Sequence, residues 1–226
     1  MTKEQFEHKQ YRYLLGNLAL EIANITKILE GEVNILYVPF QASIIAKNDA
    51  FLTLWNSREK TEALTFVRIV SEHLVYLYAE YLYPNRVIRG VYGNYKELDR
   101  IKVNGEKIKP REIREKLVAE YKGFSDIWQN YHYFIHPSYL QGSGLSLGNE
   151  SGIADMVKLN NWILDVLTKI KGRYKRQLKE AGLYQKYLDY MEANRREWDE
   201  NEIQLNGLAI FLLNYDLVDA FYRYAI

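Results

Sequence analysis

Phe66-Val67-Arg68-Ile69-Val70-Ser71-Glu72-His73-Leu74-Val75-Tyr76 decides the fold class, because it sets a charge pair and a histidine inside a run otherwise built from apolar side chains. At about 100° per residue, a helix lines up Val67, Val70, Ser71, Leu74, Leu77, Tyr78 and Tyr81 on one stripe, with Ile69 and Tyr76 near the opposite face. A helix with so little polar surface belongs inside a helical protein, and a charge placed there must be paired.

Working outward, the same periodicity recurs. Tyr13, Leu14, Leu18, Ile22, Ile25, Ile28 and Leu29 return at three- and four-residue spacing, which predicts a first helix from about Lys3 to Glu30 with Gly31 as its stop. A short extended stretch, Val33 to Val38, precedes a second helix opened by Pro39 and running to about Trp55, and Ser57 is read as the N-cap of the next one. The third helix, about Glu59 to Tyr83, ends at Pro84. Between residues 85 and 109 the pattern changes. There Asn104-Gly105 sits between alternating residues, which predicts a small β-hairpin over about 101–109, an insertion too short to make its own core.

Pro110 opens a further helix carrying Ile113, Leu117, Val118 and Tyr121. After a break at Gly123, a segment with Ile127, Trp128, Tyr131, Phe134 and Ile135 is expected to stay helical down to His136-Pro137. Glycines 142, 144, 148 and 152 mark Ser138 to Gly152 as a loop, with a short strand at Leu145-Ser146-Leu147. A long helix, about Ile153 to Ala181, buries Met156, Leu159, Trp162, Ile163, Val166, Leu167 and Ile170, and a C-terminal helical extension over 183–226 follows with helices near 184–196 and 208–224. The expected fold is therefore mainly α: one domain over 1–226, an up-and-down bundle with a hairpin insertion.

Composition narrows the classes of function. The 226 residues are 48% hydrophobic and 14% aromatic, with 20 tyrosines against 8 phenylalanines, so much of the interior is built from rings whose hydroxyls need partners. No cysteine is present, which excludes disulfide and thiol chemistry and fits a cytoplasmic setting. A net charge of +1 gives no global attraction for nucleic acid or anionic membrane. No long uncharged apolar stretch occurs, since Asp216, Asp219 and Arg223 interrupt residues 207–226, so the chain reads as soluble and unexported, with no membrane partner.

Several residue groups could carry chemistry. Arg68 and Glu72 are four apart and can meet on one side of a helix, with the guanidinium fork accepted by a carboxylate. The pair is either a structural ion bridge or an anion-facing arginine oriented by Glu72, and both roles stay open at this point. His132 and His136, also four apart, could face one metal, but no acidic partner stands at a ligand spacing beside them, and packed histidines near a helix end are expected instead. Neither a metal nor a cofactor is expected. Lys169, Lys171, Arg173, Lys175, Arg176 and Lys179 form a basic run that favours a helix C-terminus; it is expected to be solvated and balanced by Asp189, Glu192, Glu197, Asp199, Glu200 and Glu202. Gly142-Ser143-Gly144 lacks the Lys-Ser/Thr of a phosphate-binding loop.

Arg68 and His73 also spell R-x-x-x-x-H, a spacing shared with metal-independent ribonucleases of the HEPN superfamily of helical bundles. In such chemistry a histidine moves a proton while the arginine stabilises charge on the phosphorus centre. Five residues on a straight helix separate two side chains by about 140°, so convergence needs a break or a second subunit. The combination of Arg68-Ile69-Val70-Ser71-Glu72 with Tyr133-Phe134-Ile135-His136-Pro137-Ser138 resembles a group of bacterial and phage helical proteins related to HEPN-like bundles, over roughly residues 40–175. The resemblance implies that Arg68, Glu72 and His136 face one another with Tyr131 or Tyr133 close by. It also implies a homodimer of defence or toxin type acting on RNA. Arg68, Glu72, His73 and His136 are then the catalytic candidates, and Tyr131, His132, Tyr133 and Ser138 the binding candidates. The alternative is an interaction or ligand-binding protein in which the Arg–Glu–His group is a buried structural network and tyrosine-rich surfaces serve self-association.

Overall fold

The computed structural model describes residues 3–30, 37–84, 86–87, 90–91, 97–132 and 151–193. In chain order the elements are α1 (Lys3–Glu30), α2 (Tyr37–Asn56), α3 (Lys60–Leu82), a 3-10 turn (Leu98–Arg100), β1 (Lys102–Val103), β2 (Glu106–Lys107), α4 (Pro110–Glu120), α5 (Phe124–Asn130) and α6 (Ser151–Glu180), followed by α7 over 184–193. The described residues are mainly helical, with a small antiparallel hairpin.

Four long helices close a ring. α1 packs on α2, α2 on α3, α3 on α6 and α6 back on α1, while α4 and α5 lie against α3. α3 is buried on nearly every side, as its composition requires: Ala63, Leu64, Val67, Val70, Leu74, Val75, Leu77, Tyr78 and Ala79 are all in the core. Removing such side chains from water, at about 25 cal/mol per Å² of apolar surface, is what holds a bundle of this kind together. α6 contributes Met156, Leu159, Ile163, Val166, Leu167, Ile170, Tyr174 and Leu178, and Trp162 is partly buried beside them. At the start of α6, Gly152 lets the helix approach its neighbours: a Cβ there would lie 2.7 Å from Leu64 and 2.8 Å from Trp55.

The hairpin forms where the turn chemistry demands it. Asn104 and Gly105 both adopt positive φ, 53° and 87°, as a two-residue turn matching the twist of its strands requires. Lys102 then pairs with Lys107 and Val103 with Glu106. Just before it, the buried Glu80 carboxylate accepts the backbone N–H of Val87 at 2.9 Å, which ties the chain beyond Pro84 back onto α3.

Several local expectations are corrected. Tyr37 and Val38 are in α2 rather than extended, because the helix begins two residues before Pro39 and places that proline in its first turn, where a missing N–H costs nothing. Ser57 does not cap α3. Its hydroxyl donates to the Leu54 carbonyl at 3.0 Å and so closes the end of α2, while Glu59 stands at the N-cap position. α5 stops at Asn130, with Tyr131 in a turn, so the helix does not continue unbroken to His136. α6 starts at Ser151, two residues ahead of the expected Ile153. The expected Leu145–Leu147 strand, the helix at 208–224 and most of the 183–226 extension lie outside the described residues. Among the described residues no helix is long and apolar enough to cross a membrane.

Candidate functional site

Arg68 is the most buried charge in the region marked by the sequence, with only 4% of its side chain exposed. Among the described residues, Glu72, Ser71 and Trp128 lie against its guanidinium. Nη2 lies 3.0 Å from Oε1 of Glu72, one turn along α3. Nη1 lies 3.4 Å from Oγ of Ser71, whose own hydroxyl donates to the Arg68 carbonyl at 2.6 Å. The guanidinium plane covers Trp128 of α5, its Cζ 3.2 Å from the ring centre, and Arg114 of α4 approaches the same ring at 5.0 Å. The short α5 is held in reach by Phe124 and Ile127, which are buried, and it begins at Gly123, whose φ of 92° turns the chain between α4 and α5.

The electrostatics follow from this packing. Burial pushes the Arg68 pKa down to about 10; Glu72 opposes that shift and Arg114 adds to it. Arg68 Nε is buried with no hydrogen-bond partner. Glu72 is 37% exposed, so the pair is sealed on the arginine side and open on the carboxylate side. Nearby, burial raises the Tyr76 phenol, as do the charges of Glu72, Glu97 and Asp99.

His73 takes the other side of α3. Its Nδ1 lies 2.9 Å from the Ile69 carbonyl and its Nε2 2.9 Å from Oγ of Ser43 on α2, with Phe40 tilted against the ring at 6.2 Å between centroids. Burial depresses its pKa; the bond to Ile69 opposes this and the charge of Lys47 adds to it. Arg68 therefore faces α5 while His73 faces α2, and one chain does not bring the R-x-x-x-x-H pair together. The helical offset anticipates that outcome.

Tyr131 and His132 sit directly after α5. Tyr131 is 1% exposed, and its hydroxyl donates to Asp155 at 2.9 Å and lies 3.4 Å from Ser151, so it fastens the end of α5 to the first turn of α6. Burial, with Asp155 alongside, pushes its phenol up to about 12. His132 is exposed. Tyr133, His136 and Ser138 lie outside the described residues. Among the described residues no group of three or more histidine and acidic side chains could hold a metal ion.

Lys169, Lys171, Arg173 and Lys175 of the basic run on α6 have internal partners, while Glu197, Asp199, Glu200 and Glu202 of the acidic stretch expected to balance the run lie outside the described residues. Lys169 donates to Glu120, to Asp165 at 2.6 Å and to the Tyr121 hydroxyl at 3.2 Å; Lys171 (3.1 Å) and Lys175 both meet Glu21. Arg173 donates to the Tyr81 carbonyl and lies over the Tyr81 ring. Tyrosines complete the pattern: Tyr78 donates to Glu120 at 2.5 Å, Tyr121 to Asp165 at 2.6 Å and Tyr187 to Glu21 at 3.0 Å. These hydroxyl–carboxylate bonds tie α3 to α4, the end of α4 to α6, and α7 to α1.

Sequence reasoning found Arg68, Glu72 and their bond. It missed Trp128 as the platform and Ser43 as the partner of His73, because each pairing joins two helices; the sole local signal was an aromatic on α5 and a polar residue in an apolar α2. The chain matches no protein-family model, no curated protein and no solved structure.

Proposed function

We propose that this chain is an interaction protein built on a HEPN-like helical bundle, acting by association rather than by cutting RNA, with Arg68 and Glu72 serving the fold. The observation that carries this is the closure of Arg68: a catalytic arginine must reach a scissile phosphate, whereas this one is 4% exposed, stacked on Trp128 and paired with Glu72. One further point agrees: Lys169, Lys171 and Lys175 of the basic run that would track a phosphate backbone are paired with Glu120, Asp165 and Glu21. For self-association, α1 carries Tyr13 and Leu20, which are two turns apart on one stripe and exposed at 48% and 40%.

A second reading, a metal-independent ribonuclease of defence or toxin type, draws on one observation. Arg68 Nε is buried without a partner beneath α5, the helix that Tyr131 and His132 directly follow. One set of samples separates the two. Purified wild type and Arg68→Ala are incubated with a mixed RNA pool, and the same samples are melted and sized by light scattering. The association reading expects no wild-type cleavage, a concentration-dependent rise in mass that Tyr13→Ser with Leu20→Ser removes, and a lower melting temperature for Arg68→Ala. Wild-type cleavage that disappears in a folded Arg68→Ala would overturn it in favour of the nuclease.

A further inference from the structure

We propose that Ser43 and His73 form a nucleophilic serine site at the α2–α3 seam, one that accepts an acyl group from a small activated carboxylic ester. The inference is independent of Arg68 and of the association reading. It begins with the proton positions. A backbone carbonyl can only accept, so the 2.9 Å contact to the Ile69 oxygen puts the proton of neutral His73 on Nδ1. Nε2 is then the acceptor, and the 2.9 Å contact to Ser43 Oγ is a hydroxyl donating to the imidazole. A nucleophile within reach of a base, and a base oriented by a third group, is the arrangement that activates a serine; here a main-chain carbonyl does the orienting.

The surroundings suit that role. Ser57 and Ser71 spend their hydroxyl protons on backbone carbonyls of their own helices, at 3.0 and 2.6 Å, whereas Ser43 is aimed at a base on another helix. Ser43 and His73 are both half-buried, so the pair is neither sealed in the core nor loose in solvent. Burial and the charge of Lys47 hold the imidazole in its neutral form, the form a base requires. Lys47 stands one turn beyond Ser43 on the same side of α2, and its charge is felt at the His73 ring. Phe40 supplies an apolar wall against the imidazole.

In the step itself, Ser43 Oγ bonds to the ester carbonyl carbon as its proton passes to His73 Nε2. The carbon–oxygen bond to the leaving alcohol breaks, its electron pair stays on that oxygen, and His73 returns the proton there. Water releases the acyl group by the same route in reverse roles: His73 takes a proton from water, the water oxygen bonds to the carbon, and Ser43 Oγ departs and is reprotonated.

The test uses the full chain with an alkyl fluorophosphonate, which captures a nucleophilic serine by forming an Oγ–P bond and expelling fluoride, followed by peptide mapping. The exposed Ser57 is the internal reference. The expected result is an adduct on Ser43 at a rate at least about a hundredfold above Ser57, lost in Ser43→Ala and reduced by a similar factor in His73→Gln while melting curves stay close to wild type. Labelling of Ser43 no faster than Ser57 in the wild type overturns the proposal even if His73→Gln does not fold. Equal labelling of Ser43 in wild type and a folded His73→Gln overturns it as well.

Discussion

Two clusters in this bundle are made from the same parts and behave oppositely. At the α3–α4–α6 side, Lys169 of α6 meets Glu120, Asp165 and the hydroxyl of Tyr121, and it lies over the Tyr121 ring at 5.1 Å. At the α3–α5 side, Arg68 meets Glu72 and Ser71 and lies on Trp128. Burial would lower the lysine pKa, yet its hydrogen bonds to Asp165, Glu120 and Tyr121 outweigh that and raise it. Among the described residues Arg68 has Glu72 and a second guanidinium, Arg114, nearby, and burial wins. Lys169 is a third exposed and well supplied with acceptors; Arg68 is sealed and short of one. A cation on the rim, then, is stabilised by what it touches, whereas a cation in the core depends on every neighbour staying in place.

That contrast can be broken by substitution. The largest effect is expected for Arg68→Ala, which strands Trp128 and leaves a void: about 3 kcal/mol of stability lost in urea titration, with no change in the denaturant slope. Glu72→Ala removes the one carboxylate that pairs with the buried guanidinium among the described residues, but from its exposed side, and about 1–2 kcal/mol is expected in the same titration. Tyr121→Phe takes one hydroxyl from a cluster that keeps its remaining ion pairs, and about 1 kcal/mol is expected. Combined with Tyr78→Phe, the losses should fail to add, because both hydroxyls bond to carboxylates shared by Lys169.

The smallest effect concerns acid. Burial alone would raise the carboxyls of Glu21, Glu120 and Asp165, but the lysine bonds, with those of Tyr78 and Tyr121 at Glu120 and Asp165, hold all three below their ordinary values of 4.5, 4.5 and 3.8. Groups depressed in the folded state add stability that is complete above the unfolded pKa and is lost as pH falls through the folded one. Stability should therefore decline on acidification below about pH 4.5, and Glu120→Gln should make that decline shallower while lowering stability at neutral pH. Melting temperature against pH for the two proteins checks both signs.

Much of the architecture was readable from spacing alone. α1 and α3 fall within one or two residues of their expected bounds because a stripe of apolar residues and a proline or glycine stop are properties of a single segment. Asn104-Gly105 announces its turn for the same reason. The bond between Arg68 and Glu72 was legible as a four-residue spacing, and so was the failure of Arg68 and His73 to converge. What could not be read was which helix meets which. Trp128 under Arg68, Ser43 against His73, and Glu21 and Glu120 as partners of Lys171 and Lys169 all depend on helix packing across 30 residues or more. Ser57 was misassigned because a serine beside a turn can serve the helix behind it as readily as the one ahead.

The most direct test of the account is a double-mutant cycle between Arg68 and Trp128, using Arg68→Ala, Trp128→Ala and the pair in urea unfolding. If the stacked guanidinium is a structural anchor, the double variant should be less destabilised than the sum of the singles by about 1–2 kcal/mol. An Arg68→Ala protein as stable as wild type, with no coupling to Trp128, would contradict the account and return Arg68 to the role of a residue kept for chemistry.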